Sequence, residues 1–266
     1  MAETNVEGGG LYRRLLRELR RLGVPWAPEP GPPVTEGDLA GLPPAAQRYL
    51  RFMRVVGRPR ARSVRARFVG RFRLRRSWMP AEAWQYDSWP EISRVFVMRL
   101  SVGGVVPIIG VDAYLGGRGW MVGKLLNFVT IVEGRGPELD TGELVTYLND
   151  AVLLAPSFLL RPDVSWREVD QHAFDVSLED AGRSVSGRVF LDPRGAPRDF
   201  ATTDRYADDP SGLVKMEWRT PVSTWGMIRG RPLPGRTSAE WHRPEGPTPY
   251  IEGRFDPAAI AYDVPP

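Results

Sequence analysis

The sequence predicts an α+β fold that is dominated by one large antiparallel sheet. Many short β-compatible segments follow one another, and the short turns between them are typical of antiparallel hairpins. Three amphipathic helical patterns precede or interrupt this series. The sequence shows no internal repeat and no clean domain boundary, so a single α+β domain is the simplest expectation.

The composition is that of a globular protein. Of the 266 residues, 42% are hydrophobic and 26% are charged, which is enough apolar content to bury a core. The chain has no cysteine and two histidines, which excludes disulfides, thiolate catalysis, Cys-based zinc sites and histidine-rich metal centres. No segment is long and apolar enough to span a bilayer, and the first ten residues lack the features of a secretory signal. We therefore expect a cytoplasmic protein that uses no metal and no cofactor.

The N-terminal region is predicted to contain a basic amphipathic helix and an extended connector. Over residues 11–22, leucines recur at helical spacing, arginines fill the other faces, and Gly23 provides a stop. Five prolines in residues 25–33 favour an extended segment. We therefore divide the chain into an N-terminal segment of residues 1–33 and one α+β domain of residues 34–266.

Two further helices are predicted inside this domain. One begins at Pro43 or Pro44 and ends before Gly57. In the other, Asp140 as N-cap and Glu143 at the third helical position fit a capping box, and an apolar stripe follows them. Because strands flank this helix in the sequence, we expect it to pack against the sheet.

The clearest predicted strand lies within residues 64–76, where side chains of two kinds alternate. Apolar residues such as Phe68 occupy one face, and arginines occupy the other. The β-compatible runs that follow are 94–102, 105–114, 119–122, 128–133, 172–179, 184–191, 198–206, 213–220, 236–242 and 250–255. Turn residues separate several of these runs, which predicts hairpins.

Short motifs are spread over residues 42–255. They are Leu42-Pro43-Pro44, Gln47-Arg48-Tyr49-Leu50, Gly70, Phe72-Arg73, Trp78, Pro80, Gln85-Tyr86, Asp112, Tyr114, Gly117, Gly119, Met121, Lys124-Leu125-Leu126, Gly142-Glu143, Tyr147-Leu148-Asn149-Asp150, Asp204-Arg205-Tyr206, Trp241, Gly246 and Tyr250. Together they resemble a bacterial family that is classified only as a domain of unknown function. The resemblance implies a strongly curved antiparallel sheet, a half-barrel that cradles two or three helices, similar to the half-barrel of periplasmic lipoprotein carriers. It implies no activity, and unlike those carriers this sequence lacks an export signal and a lipobox cysteine.

A concave aromatic face is the basis of the first functional hypothesis. The chain has 9 Trp, 8 Tyr and 10 Phe, and a curved sheet has one concave face that a few short helices do not close entirely. Aromatic concavities favour apolar ligands with a polar handle. We therefore expect a non-enzymatic binder of a hydrophobic or amphipathic small molecule or lipid. The predicted ligand-binding residues are Phe72, Trp78, Trp84, Tyr86, Tyr114, Met121, Tyr147, Asp150, Asp204, Tyr206 and Trp241.

A row of arginines is predicted on one face of the strand within residues 64–76. Its members are Arg65, Arg67, Arg71, Arg73 and Arg75. Guanidinium groups donate paired hydrogen bonds to carboxylate or phosphate, so the row is a candidate anion site. The other interpretation is a solvated outer face that pairs with carboxylates of neighbouring strands. Nucleic acid is not an expected partner, because the row has no interleaved aromatic residues and no recognisable motif.

Two other functions stay open at this stage. One is a hydrolase or isomerase that uses cavity carboxylates as acid and base. The other is peripheral binding to an anionic membrane through the helix of residues 11–22 and the arginine row. The glycines of residues 116–123 lack the spacing of a dinucleotide-binding loop, and the sequence does not predict the oligomeric state. The residues that would carry the enzymatic chemistry are Asp112, Asp150, Asp204, Tyr147 and Tyr206.

Overall fold

The computed structural model describes residues 9–74, 76–126, 128–210 and 212–266. The helices are α1 (Gly10–Leu22), α2 (Pro44–Phe52) and α3 (Pro137–Leu153). The strands, in chain order, are β1 (Ser63–Leu74), β2 (Ser77–Ser88), β3 (Ser93–Val102), β4 (Val106–Leu115), β5 (Arg118–Leu125), β6 (Val129–Arg135), β7 (Val164–Asp170), β8 (Ala173–Asp180), β9 (Arg183–Leu191), β10 (Pro197–Asp209), β11 (Gly212–Arg219), β12 (Trp225–Ile228), β13 (Arg231–Pro234), β14 (Thr237–Arg243), β15 (Gly246–Phe255) and β16 (Ala261–Tyr262). No helix of the described part of the chain has the length and apolar character to cross a membrane.

Most of these strands form one antiparallel sheet that curves into a half-barrel. Its order is β6-β5-β4-β3-β2-β1-β15-β14-β11-β10-β9-β8-β7, and β16 pairs with the start of β1. Short turns make two meanders, β1–β6 and β7–β11, and the hairpin β14–β15 joins them. The pair β12–β13 forms a separate small sheet. The predicted α+β half-barrel is confirmed.

The concave face of the half-barrel holds two helices. Helix α3 packs on strands of both meanders, among them β4, β5, β9 and β10, and its Leu144, Leu148 and Val152 are buried in the main core. Helix α2 joins the same core through Tyr49 and Leu50. Because α3 spans the two meanders, its inward side chains meet residues that are far apart in the sequence.

Helix α1 packs on the opposite, convex face of the sheet. Its Leu11, Leu15 and Leu19 are buried in one cluster with Trp84 and Val97 of β2 and β3. The leucine stripe predicted this helix correctly, and it covers the sheet as amphipathic surface helices commonly do. Peripheral membrane binding through this helix stays a prediction, in which the buried leucines take no part.

Helix α3 begins earlier than the sequence predicted. Pro137 occupies its first turn, Gly136 is the N-cap, and no side chain caps the helix. Asp140 instead accepts a hydrogen bond from the Gly119 amide over 2.7 Å. The predicted capping box is therefore wrong, because both of its acidic residues have partners on the sheet.

Candidate functional site

A cavity lies between the concave face of the sheet and α3. Its volume is about 150 Å³, and it is partly open to solvent. Strands of both meanders contribute to its lining, together with α3. The lining divides into an apolar wall and a charged end.

Apolar side chains form the wall. Edge-to-face contacts hold its rings, with 5.5 Å between the ring centroids of Phe68 and Phe255 and 5.8 Å between those of Phe72 and Tyr250. A guest would therefore meet aromatic edges and a polarisable thioether. The wall consists of Phe68, Phe72, Phe96, Met98, Leu153, Trp218, Ala239, Tyr250, Ile251 and Phe255.

The charged end is built around Arg94 of β3. Arg94 is only 4% exposed. Its Nε donates to Oδ2 of Asp150 over 2.8 Å, and its Nη1 donates to Oε2 of Glu143 over 3.0 Å. The two acids lie two helical turns apart on α3, so they share one face of the helix. One arginine therefore attaches α3 to the sheet beside the cavity.

Burial changes the protonation of two aspartates next to this arginine. It raises the pKa of Asp87 well above its usual range, and the charge of Asp150 raises it further. Oδ2 of Asp87 accepts a hydrogen bond from Gln85 over 2.9 Å, while Oδ1 has no hydrogen-bond partner among the described residues. Burial also raises the pKa of Asp150, and Arg94 opposes that rise. The carboxyl groups of Asp87 and Asp150 therefore keep their protons to a higher pH than exposed aspartates do.

Asp112 of β4 is the acid of the charged end that is partly exposed to the cavity. Burial raises its pKa to about 7, the charge of Glu143 adds to the rise, and Arg94 and Arg205 oppose it. A carboxyl group with this pKa changes its charge near neutral pH. Strongly shifted acids in cavities are common at functional sites.

A β-bulge in β10 directs Arg205 into the cavity. The register between β10 and β11 shifts between Thr202 and Arg205, so Arg205 lies on the same face as Phe200 despite their odd separation. Its guanidinium carbon is 4.4 Å from the ring centroid of Trp218 and 5.9 Å from that of Trp241. Among the described residues, no carboxylate lies within salt-bridge distance of Arg205. Its donors are therefore available to a ligand.

Comparison with protein families identifies the chain. Residues 32–253 match the model described as "Family of unknown function (DUF6544)". The chain belongs to the DUF6544 family. The resemblance to a bacterial family of unknown function is thus confirmed. The curated proteins contain no match to this DUF6544 chain.

Two solved structures are similar to the chain at low sequence identity. A DUF1329 family protein from Desulfovibrio piger is 11% identical, with a TM-score of 0.42 over 83% of this chain and 92% of that one. A LolA superfamily protein from Nitrosomonas europaea is 13% identical, with a TM-score of 0.42 over 83% of this chain and 94% of that one. Similarity at this level carries no argument about the function of the DUF6544 chain.

The cavity contains part of the predicted ligand-binding set. Phe72 and Asp150 line it. Trp241 lies beside it, in contact with the Arg205 guanidinium and stacked on Tyr250 with 6.2 Å between the ring centroids. The structure therefore places two of these residues in the lining of the cavity and the third beside it, and their role in ligand binding stays a prediction.

Three further predicted residues lie on the concave side without lining the cavity. The Tyr114 hydroxyl donates to Asp180 over 2.6 Å, and the Tyr147 hydroxyl donates to the carbonyl of Ser88 over 3.0 Å. Both tyrosines are buried in the core. Met121 lies on the same face of β5 as Gly119, which contacts α3. The contacts of these three residues indicate a role in packing the core.

Three predicted aromatic residues of β2 lie on the convex face instead. Trp84 and Tyr86 are buried under α1, and Trp78 lies beneath the Arg71 guanidinium, 4.5 Å from its ring centroid. Side chains alternate along a strand, and Gln85 of β2 points into the cavity. The expected placement of these three aromatic residues on the concave face is therefore corrected.

Asp204 and Tyr206 share the outer face of β10. Asp204 accepts a hydrogen bond from the Ser186 amide over 2.9 Å, and its Oδ1 lies 3.6 Å from Nζ of Lys215. The same ammonium lies 5.7 Å from the ring centroid of Tyr206. Their expected placement in the cavity is corrected, because the bulge turns Arg205 inward between them. Of the three carboxylates in the enzyme hypothesis, the cavity holds the other two, Asp112 and Asp150.

The arginine row lies on the convex face, where its first members have partners. Nη1 of Arg65 donates to the Tyr12 hydroxyl of α1 over 2.6 Å. Arg67 donates to Glu82 over 3.1 Å and to Asp256 over 2.8 Å. These contacts fit the interpretation of the row as an outer face that pairs with neighbouring carboxylates.

The outer half of the row is more accessible. Arg71 donates to Glu252 over 2.6 Å, Arg73 follows it on the same face, and Arg75 lies outside the described residues. Arg71 also lines a broad, open groove of about 1660 Å³ on this side of the sheet. Further arginines of that groove are Arg194, Arg198, Arg236 and Arg254. Anion binding by the row stays a prediction.

Sequence reasoning missed three charged residues of the cavity. Arg94 had a detectable signal, because it shares the apolar face of its strand with Phe96 and Met98. Glu143 fits the predicted capping box, and regular strand alternation places Arg205 on the face opposite to Asp204 and Tyr206. Neither pattern predicts that Arg94 of a distant strand contacts Glu143, or that a bulge turns Arg205 toward the cavity.

Proposed function

We propose that this DUF6544 protein is a non-enzymatic binder of a hydrophobic or amphipathic small molecule or lipid. The observation that carries the proposal is the division of one cavity into an aromatic wall and a charged end. A site with mostly apolar walls and a few directed polar groups is typical of small-molecule binding. Family membership is consistent with this proposal and does not specify a ligand.

The volume of the cavity limits the buried part of the ligand. It is about 150 Å³, whereas pockets for drug-sized ligands measure about 300–1,000 Å³. In another protein, an engineered apolar cavity of about 150 Å³ binds benzene. The buried part is therefore one short apolar segment, such as a ring or a few methylene groups, and the rest of the ligand extends toward the opening.

The charged end favours an anionic head group. Arg205 lines the cavity, and its guanidinium has no carboxylate within salt-bridge distance among the described residues. Guanidinium groups bind carboxylate and phosphate through two parallel hydrogen bonds. Asp112 is neutral below its raised pKa of about 7 and negative above it. An anion at Arg205 therefore binds more tightly when Asp112 is protonated.

Retained ligand is the direct test of the proposal. Native mass spectrometry of protein purified under mild conditions, followed by lipid extraction, reports what the cavity carries. A fluorescent fatty acid and its neutral alcohol analogue then serve as defined probes in solution. If the protein retains no apolar molecule and binds neither probe, the proposal is wrong.

Two variants locate the probe in the cavity. Arg205→Gln should weaken binding of the fatty acid by about ten-fold or more and leave the alcohol unaffected, because a hydrogen bond to a charged group is lost. Ala239→Leu should weaken the binding of both probes, because the larger side chain occupies part of the cavity. Arg13→Gln on the exposed side of α1 is the matched control and should change neither affinity.

A second candidate function is an isomerase in which Asp112 moves a proton. The specific observation is its pKa of about 7 in a cavity that also contains Arg205, because a general base works best when its pKa is near the operating pH. The test is deuterium incorporation from heavy water into an extracted ligand. Asp112→Asn should abolish the incorporation while ligand binding persists, and absence of incorporation in the wild type excludes the candidate.

A further inference from the structure

Two hairpin ends of the first meander carry an exposed apolar surface. Val105 is 84% exposed between β3 and β4, and Phe128 is 87% exposed between β5 and β6. Exposed apolar patches commonly mark interaction surfaces. The apolar tip, as we name this surface, consists of Val102, Val105, Val106, Leu126, Phe128 and Val129.

The surroundings of the apolar tip are basic. The β1–β2 hairpin ends on the same side, because consecutive antiparallel strands reverse direction at each turn. The stretches 71–81, 99–111 and 123–132, in which these three ends lie, contain basic residues and no acidic residue. Two of their arginines, Arg71 and Arg99, pair with Glu252 and Glu82 outside these stretches. Arg76 is exposed, and in the described part of the chain neither Arg76 nor Lys124 makes an ion pair. The apolar tip is therefore complementary to a negatively charged surface that also accepts apolar side chains.

An apolar path connects the tip with the cavity. Phe72 and Met98 line the cavity and also pack in a second cluster around Leu100 and Ile108. Leu125 completes this cluster at the end of β5, next to the exposed tip. The concave face therefore offers continuous apolar contact from the hairpin ends to the aromatic wall.

We propose that the apolar tip docks on an anionic lipid membrane. Val105 and Phe128 enter the interfacial region, and Arg76 and Lys124 contact the acidic head groups. A lipid chain then reaches the cavity along the apolar path, a step that rests on the proposed function, whereas docking itself does not. A membrane fits the tip better than a second copy of this chain, because a symmetric contact would bring its like charges together.

Vesicle flotation of the full chain tests the docking. The probes are vesicles of phosphatidylcholine alone and vesicles with about 30% phosphatidylglycerol, at about 0.05 M and about 0.5 M salt. The wild type should bind the anionic vesicles and bind them less at high salt. Val105→Ser with Phe128→Ser should lower this binding by about ten-fold, because it removes the inserting side chains.

The matched control is Met227→Ser, which removes an apolar side chain that is 54% exposed in the separate β12–β13 sheet. It should bind vesicles as the wild type does. Equal binding by the wild type and the double Ser variant overturns the docking proposal. So does a concentration-dependent dimer that the double variant dissociates, because the tip would then be an interface between copies.

Probe uptake from solution separates the two proposals. The double Ser variant should retain the fatty-acid affinity of the wild type, because Val105 and Phe128 do not line the cavity. Loss of vesicle binding with retained probe binding supports docking. Absence of probe binding in the wild type overturns the ligand-binding function, and the flotation result still decides the docking.

Discussion

Arg94 of β3 and Asp150 of α3 form a buried ion pair in which Nε donates to Oδ2 over 2.8 Å. The same guanidinium reaches Glu143, so one side chain holds two turns of α3. The three charges lie where the helix closes one end of the cavity. Their pairing therefore couples the stability of the fold to the shape of the proposed ligand site.

Removal of the central charge should destabilise the protein strongly. Arg94→Met leaves two buried carboxylates without their counterion, and we expect it to lower the free energy of unfolding by about 3–5 kcal/mol. Urea denaturation at neutral pH measures the loss. The triple variant Arg94→Met, Glu143→Gln and Asp150→Asn should recover part of this loss. A loss below about 1 kcal/mol for Arg94→Met alone would contradict a role of Arg94 in holding α3.

Asp112 should make stability fall as the pH rises. Its pKa is about 7 in the folded protein, against about 3.9 for an unfolded aspartate. The folded state therefore binds the proton of Asp112 more tightly than the unfolded state does. The stability that this proton contributes is complete below about pH 4 and is lost as the pH rises to about 7. Asp112→Asn should remove part of this slope and stabilise the protein at about pH 8 by on the order of 1–3 kcal/mol.

Denaturation of both proteins at about pH 5 and about pH 8 checks this prediction. Part of the slope should persist in the variant, because burial also raises the pKa values of Asp87 and Asp150. If the free energy of unfolding changed equally with pH in the wild type and in Asp112→Asn, Asp112 would not have the raised pKa that its burial predicts.

Tyr147 should prove to be a structural residue. Its hydroxyl donates to the buried Ser88 carbonyl over 3.0 Å, so Tyr147→Phe should lower the free energy of unfolding by about 0.5–1.5 kcal/mol. The affinity for the fatty-acid probe should not change, because Tyr147 does not line the cavity. A ten-fold or larger loss of affinity would place this tyrosine back in the binding site.

Gly119 should tolerate no side chain, because α3 approaches β5 very closely there. A Cβ atom on Gly119 would lie 2.4 Å from the carbonyl oxygen of Leu139. Gly119→Ala should therefore destabilise the protein by about 1–3 kcal/mol through overpacking. Gly110→Ala in β4 is the control, because its Cβ would have no atom within 4 Å. Equal thermal unfolding of the two variants would contradict the close contact.

The stripe of α1 should contribute to stability. Leu15 is completely buried against the convex face, so Leu15→Ala should lower the free energy of unfolding by about 2–5 kcal/mol. Leu213→Ala, at a residue that is 53% exposed, should change it by less than about 0.5 kcal/mol. If Leu15→Ala unfolds like the wild type and loses vesicle binding instead, the result would contradict the structural role of Leu15 and support membrane binding through this helix.

Local patterns predicted the elements whose two faces differ clearly. The leucines of α1 and the alternation of β1 each separate a buried face from a polar one, and the structure has both elements at the predicted positions. The pattern failed for β2, which none of the predicted strands covers. Its concave positions change from Ala81 and Ala83 to Gln85 and Asp87, because the strand continues into the charged end of the cavity.

The sequence by itself determined the α+β class, the antiparallel strand series and the aromatic interior, because hydrophobic periodicity is a property of neighbouring residues. Only the tertiary structure decided which polar residues share the cavity. Arg94 meets Glu143 and Asp150 across 49 and 56 residues of chain, and a bulge turns Arg205 toward them. Charge compensation of this kind depends on distances in space, which no local pattern encodes.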